Sequence, residues 1–387
     1  MASKSANLSD DPERFLFAPY ARFGASSRGR FHPEINHTSQ SEFQRDRERI
    51  IHSSAFQALE HKSQIILNRA GDEYRTRLSH TLSVAVLGRS IARTLRLNDD
   101  LVDAIALAHD VGFPPFGQPG EHTLNQLMND HGGFHHSRQS LRVVDELEMI
   151  YPEFNGLNLT FEVRDGLCRS LPTRHEANSQ SCLEAQVVDA ADELVSARLD
   201  LGDALEHGYF QEESLTEIAL WTEIKSDVAR HYSRMDKNRR QLYILDRIQE
   251  TLIADLCQQS LENLKSADPA NAAAAQAQSR RLIGFSLAVR SKLQNLHDFL
   301  AQHFHHHATI SRVNQRACMV LQALFAFYHK HPNLIGDKAA LKIKKEGLSR
   351  AVCDYLSGMT DTMTYRAYVK HLGTDTLLAD LAPRKKA

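Results

Sequence analysis

From residue 41 onward, apolar residues recur almost everywhere at spacings of three and four, and no two alternating β-branched runs are joined by a hairpin turn. That period keeps one face of a helix apolar, whereas a half-buried strand needs a period of two. The chain is therefore predicted to be all-α. In 78–97 the stripe is Val84, Leu87, Ile91 and Leu95; Asn98, Asp99 and Asp100 then open a second helix that buries Leu101, Ile105 and Ala108. This second helix is expected to stop in VGFPPFGQPG (111–120), whose prolines and glycines oppose continuation. Further helices are predicted at 120–130, 137–150, 159–170, 182–206, 213–232, 238–264, 281–304, 309–330, 337–357 and 361–371. Residues 1–40 read as an N-terminal arm, 41–206 as the site-bearing core, and 207–372 as a C-terminal helical region. Within the last, 266–279 is a low-complexity linker, and 373–387 forms a basic tail.

Composition narrows the function. Over 387 residues, 46 Lys and Arg stand against 48 Asp and Glu, a formal net charge of −2, which excludes a protein that grips nucleic acid by bulk charge alone. No window approaches the roughly 18 apolar residues of a membrane span, and the start MASKSANLSDDPER has no apolar signal-peptide core. A cytoplasmic protein without a membrane partner is expected. Cys168, Cys182, Cys257, Cys318 and Cys353 are scattered, with no C-x-x-C pair, and are expected to be thiols in or near the core. Histidine, at 21 residues, is about twice its usual share, and imidazole is both metal ligand and proton carrier.

Three places set metal-ligand side chains on inward faces. His80 lies one turn before Val84 on its stripe; His109 lies four residues after Ile105, with Asp110 next to it. In 182–206, Val188, Asp192, Val195 and Leu199 share a stripe, so Asp192 interrupts an apolar face. Asp189, on a polar stripe with Glu193, Ser196 and Asp200, is the second choice. Alone, each of these would pass for a hydrogen-bonded core histidine or a capping aspartate. Together, two imidazoles and two carboxylates from three helices suit a divalent ion: Mn²⁺, Mg²⁺, Fe²⁺, Ni²⁺, Co²⁺ or Zn²⁺.

This H…HD…D arrangement resembles the HD-domain metallophosphohydrolases. The runs FQRDRERIIHSSAFQALEHKSQ (43–64), YRTRLSHTLSVAVLGRSIA (74–92), AIALAHDVGFPPFGQPGE (104–121), GGFHHSRQSLRVV (132–144), LNLTFEV (157–163), SCLEAQVVDAADEL (181–194) and DYLSGMTD (354–361) are similar to the deoxyguanosinetriphosphate triphosphohydrolase-like branch. The resemblance implies an all-α HD-domain bundle with a helical C-terminal extension. It also implies hydrolysis of a deoxynucleoside triphosphate, dGTP being the first guess, to the deoxynucleoside and tripolyphosphate. His80, His109, Asp110 and Asp192 would match the family's metal ligands, and its ADE motif favours Asp192 over Asp189. Arg77 would match a phosphate contact, Gln64 and Ile65 the lining of the deoxyribose and base, and Asp200 a sugar 3′-hydroxyl acceptor. Expected partners are a nucleotide substrate or effector, further copies of the chain in an even-numbered homo-oligomer, and single-stranded DNA.

The loop departs from the family. Where the family reads like HDLGHTPFGH, this chain reads HDVGFPPFGQ, so Phe113 and Gln118 replace histidines, and Gln118 holds the catalytic position. An amide has no useful pKa and cannot shuttle a proton, a loss of roughly 10²- to 10⁴-fold in rate. Glu121, that histidine's usual partner, is retained; Ser196 replaces an aromatic residue, and His135 an acidic one. Either His122, His135 or His136 supplies the proton transfer, or the protein is a weakened nucleotide- or DNA-binding partner subunit; a phosphatase acting on another phosphoester is a third reading. The histidine run at 303–307 reads as a solvated helix end, and Lys342, Lys344 and Lys345 with Arg384, Lys385 and Lys386 as small basic patches that solvate the surface, although the resemblance allows them to serve single-stranded DNA or a regulatory nucleotide.

Overall fold

The computed structural model describes residues 13–34, 40–67, 75–168, 180–336 and 339–373. Helices dominate, and among the described residues there is no strand, only an isolated antiparallel bridge between Ser63 and Thr76. No described helix is long and apolar enough to cross a membrane. The basic residues Arg384, Lys385 and Lys386 lie outside the described residues. All five cysteines are thiols, four of them buried.

The chain divides into two units that interleave rather than follow one another: 1–49, 83–106 and 158–298 form one, and 50–82, 107–157 and 299–387 the other. The first is built on the long helices Leu183–Glu206 and Lys237–Ala267. Gly88 lets its helices approach closely, because a Cβ there would stand 2.9 Å from Val102 Cγ1 and 3.8 Å from Ala191 Cβ. Its arm residues are tied down by charge. Arg30 and Thr160 both engage the fully buried Asp46, Thr160 donating from its backbone (2.9 Å) and its hydroxyl (2.6 Å), while Arg28 pairs with Glu162 at 3.1 Å. Buried carboxylates persist only with such partners.

The second unit has its core where Leu124 and Met128 of the helix Gly117–Leu127 and its end meet Leu321, Leu324, Val352 and Leu356. Each fully buried leucine contributes about 1.5–3 kcal/mol, so this cluster fixes the loop 111–116 that precedes the helix.

Several predicted elements are corrected. The helix expected at 120–130 begins at Gly117, three residues earlier, with Pro119 inside its first turn, where a missing N–H costs nothing. The single helix expected at 337–357 is two, Ala339–Glu346 and Leu348–Ser357, parted by Gly347 at φ +89°. In the 266–279 segment, the Asn271 side chain caps a short helix, Ala272–Gln276, by accepting from Ala274 N–H at 2.9 Å, so the low-complexity run is ordered. The segment 281–304 becomes helical only at Leu287 and ends in a π-turn, Ala301–His305.

Candidate metal centre and active site

Arg77 opens the helix Arg77–Thr94, and His80 stands three residues on, so both project from one side. The helix Asp99–Ala108 ends just before His109 and Asp110. His80, His109 and Asp110 are 2%, 3% and 2% exposed, and each offers a ligand atom within 4.8 Å of the others. The two imidazole centroids are 6.0 Å apart. Two imidazole donors and one carboxylate, withdrawn from water at this spacing, fit a divalent ion.

The Asp110 carboxylate serves two neighbours. One oxygen accepts from Arg77 Nη1 at 3.0 Å; the other lies 3.1 Å from His109 Nε2. Arg77 also donates to the Gln64 carbonyl at 3.3 Å, and its guanidinium carbon sits 3.5 Å from the Phe113 ring centroid. On the same ring the His136 imidazole stacks at 4.1 Å. Two groups so close to one centroid cannot share a face, so Phe113 is a slab between Arg77 and His136.

Beyond that slab, His136 Nδ1 lies 2.9 and 3.1 Å from the two Glu121 oxygens, and its backbone N–H donates to the same carboxylate at 2.6 Å. Burial alone would raise the Glu121 carboxyl, but the hydrogen bonds and charge of His136 outweigh it and hold it below its ordinary value. His135 caps the helix His136–Arg142, its Nδ1 accepting from Ser137 N–H at 3.2 Å, and stacks on His136 at 4.6 Å. Burial, then the charge of His136, lowers the His135 imidazole. The loop and this helix can approach because residue 112 is glycine: a Cβ there would meet Ser140 N at 2.1 Å.

Compared with known proteins, residues 77–197 match the HD domain and residues 283–370 the phosphohydrolase-associated domain. Proteins called deoxyguanosinetriphosphate triphosphohydrolase-like from Geobacter metallireducens (40% identical, 90% of this chain and 93% of theirs), Thiobacillus denitrificans (39%, 91% and 96%) and Nitrosomonas europaea (39%, 92% and 97%) align along nearly their whole length. The chain belongs to the deoxyguanosinetriphosphate triphosphohydrolase-like family. It is an HD-domain phosphohydrolase by this kinship, and HD domains bind divalent metals.

Against that family pattern, Gln118 is exposed in the first turn of the helix Gly117–Leu127. With Gln64, Ile65, His122, His305 and His306 it lines a cavity of about 800 Å³ in the second unit. Two members of the histidine run at 303–307 therefore border a cavity, which their reading as a mere solvated helix end did not foresee. Asp192 and Asp200 belong to the first unit, on the helix Leu183–Glu206. Asp200 is buried, Asp192 half-buried, and Asp189 is engaged by Arg281 at 2.6 Å. Asp200 is thus buried although it shares a sequence stripe with the polar Asp189, Glu193 and Ser196. Of the basic run, Lys342 is half-buried in a second cavity of about 530 Å³ that Asp354 also lines, and Lys345 lies 3.8 Å from Glu346, which shrinks that patch.

Lys62 and Asp361 escaped the sequence reading, although they sit in the matching runs ALEHKSQ and DYLSGMTD. Lys62 Nζ donates to the Phe113 carbonyl (2.6 Å) and the Ser357 carbonyl (2.9 Å). Burial lowers its ammonium to about 7. Asp361 accepts from Ser63 N–H (3.0 Å), Ser63 hydroxyl (2.6 Å) and Phe116 N–H (2.8 Å). These two buried side chains hold both walls of the site: the segment carrying Gln64 and the loop carrying Phe113. They also sustain strain, since Phe116 has φ +68° and is followed by Gly117 at φ +60°.

Proposed function

We propose that the protein hydrolyses deoxynucleoside triphosphates, dGTP first among them, to the deoxynucleoside and tripolyphosphate. The observation that carries this is the buried His80–His109–Asp110 cluster, with Arg77 beside it and the Glu121–His136 pair behind Phe113, in a chain whose relatives bear that activity in their name. Asp192 is proposed as the fourth ligand on its place in the family pattern, with Asp189 as the second choice. A divalent ion held there, Mn²⁺, Mg²⁺, Fe²⁺, Ni²⁺, Co²⁺ or Zn²⁺, would supply charge neutralisation at the α-phosphate and acidify water. Water adds its oxygen to the α-phosphorus, the bond to the 5′ oxygen breaks, and that oxygen leaves with a proton. In this chain His136 carries that proton, and Glu121 fixes its ring through Nδ1. Arg77, beside the cluster, would contact the phosphates. Gln64, Ile65 and Gln118 receive the nucleoside from the cavity they line, with Asp200 as sugar-hydroxyl acceptor. A cytoplasmic, even-numbered homo-oligomer, with single-stranded DNA as a further ligand, belongs to the same proposal.

A second reading, a nucleotide-binding partner subunit with little turnover, draws on Phe113 and Gln118 standing where the family has histidines. One experiment separates them. Metal-analysed protein is incubated with each of the four deoxynucleoside triphosphates plus Mn²⁺, and products are resolved by chromatography. Deoxynucleoside with tripolyphosphate supports hydrolysis; bound nucleotide without product supports the partner subunit; orthophosphate or a nucleotide product points to a phosphatase on other phosphoesters.

A further inference from the structure

The loss of two family histidines leaves a cluster that this chain has rearranged. Glu121, His135 and His136 each offer a ligand atom within 4.8 Å of the other two, and all three are half-buried, so they can be reached from water. They come from two elements, the helix Gly117–Leu127 and the N-terminus of the helix His136–Arg142. Two imidazoles and one carboxylate with sides left open are a ligand set for a borderline transition ion such as Zn²⁺ or Co²⁺. His135 makes the difference, because it puts a nitrogen donor next to a His–carboxylate pair that would otherwise hold only a proton.

The cluster is also insulated from the first metal centre. Asp110 pairs with Arg77, Arg77 lies on one face of Phe113, and His136 lies on the other, so a cation and an aromatic ring separate the two ligand sets. A histidine in place of Phe113 could ligate toward either centre; a phenylalanine can do so toward neither.

We propose that Glu121, His135 and His136 form a second, separate site for a transition-metal ion, and that its occupancy takes His136 out of proton transfer. The inhibitory half of this rests on the hydrolase reading above; the site itself does not. Binding exchanges the proton between His136 Nδ1 and Glu121 for the ion, and that proton passes to water. The N–O separation of 2.9 Å is close to the spacing of two ligands on one ion.

The test is metal stoichiometry on the full-length apoprotein. Co²⁺ is titrated while the visible bands of low-coordinate cobalt are followed, and Zn²⁺ is counted by equilibrium dialysis. Wild type should take two ions per chain, Asp110→Asn one, and His135→Asn one; asparagine retains the helix cap without an imidazole. In Asp110→Asn the remaining cobalt bands should persist, and Glu121→Gln added to it should abolish them. One ion in wild type, or two retained in His135→Asn, overturns the site. Should His135→Asn fail to fold, Glu121→Gln alone makes the same measurement. Turnover adds an independent arm: excess Zn²⁺ over Mn²⁺ should inhibit wild type, with the midpoint moved at least tenfold in His135→Asn. Two ions without inhibition keep the site and overturn its regulatory role. A protein without turnover refutes the hydrolase reading while the ion count still decides the site.

Discussion

Replacing His136 with glutamine isolates the proton step. The imidazole makes two contacts to Glu121, at 2.9 and 3.1 Å, and a 4.1 Å stack on Phe113, while Glu121 itself is held ionised by this neighbour. Glutamine preserves an N–H donor to the carboxylate but cannot carry a proton, so the expected loss is roughly 10²- to 10⁴-fold in kcat. At 1.36 kcal/mol per decade this is about 3–5 kcal/mol of transition-state stabilisation. The structural cost is smaller, about 0.5–1.5 kcal/mol for the lost ring stack, so the variant remains folded at 25 °C. The assay is tripolyphosphate release from dGTP with Mn²⁺ at one equivalent per chain, with KM and kcat separated. KM should move little. Added imidazole should restore part of the rate in His136→Ala, whose missing ring leaves room for it. His122→Gln is the comparison, because His122 is exposed and its ring contacts Gln126 at 2.9 Å. If His136→Gln turns over within threefold of wild type while His122→Gln collapses, the proton carrier is on the cavity side and the assignment of His136 is wrong.

Three further outcomes follow from the same contacts. Arg77→Ala should raise KM for the triphosphate at least tenfold with metal content unchanged; unaltered nucleotide affinity would remove Arg77 from the phosphate site. Asp46→Ala removes one of the two carboxylates that hold the Arg30 guanidinium and leaves Glu42, at 2.8 Å, as the other, so urea unfolding should show a loss of about 1.5–3 kcal/mol for hydrogen bonds to a charged group. A loss under 0.5 kcal/mol, on the order of a neutral surface change, would mean that Glu42 alone satisfies Arg30. Because the folded-state Glu121 carboxyl is held below its ordinary value, its stabilisation is present above the unfolded carboxyl value and disappears as pH falls through the lowered one. The stability gap between wild type and Glu121→Gln, about 1.5–3 kcal/mol near neutrality for hydrogen bonds to a charged group, should therefore narrow steadily as pH falls below the ordinary carboxyl range. A gap that does not change with pH would show that the pair acts through packing rather than charge.

How much of this was legible in the sequence depends on the kind of contact. The stripes through Val84, Leu87 and Ile91 and through Leu101 and Ile105 put His80 and His109 indoors, because a helix's period is written in neighbouring residues and burial follows it; all five of those stripe residues and both histidines are buried. Helix ends were less legible. Pro119 looked like a barrier to helix, yet first-turn positions tolerate it, whereas Gly347 ended a helix by adopting a conformation that no apolar period reveals. Least legible were partners far apart in the chain. Lys62 and Asp361 are separated by almost the whole site in sequence, and a lone lysine or aspartate normally means a solvated surface. The structure buries both around the loop 111–116, where Lys62 holds the Phe113 carbonyl and Asp361 the Phe116 N–H. The anchored loop presents Phe113 between Arg77 and His136, and its ring gives His136 an apolar face to stack on while Glu121 holds the imidazole edge. Glu121 and His136 form a half-buried carboxylate–imidazole contact at 2.9 Å that can hold and move a proton, whereas the Gln118 amide cannot, and for that reason the pair, rather than Gln118, is where turnover should be sought.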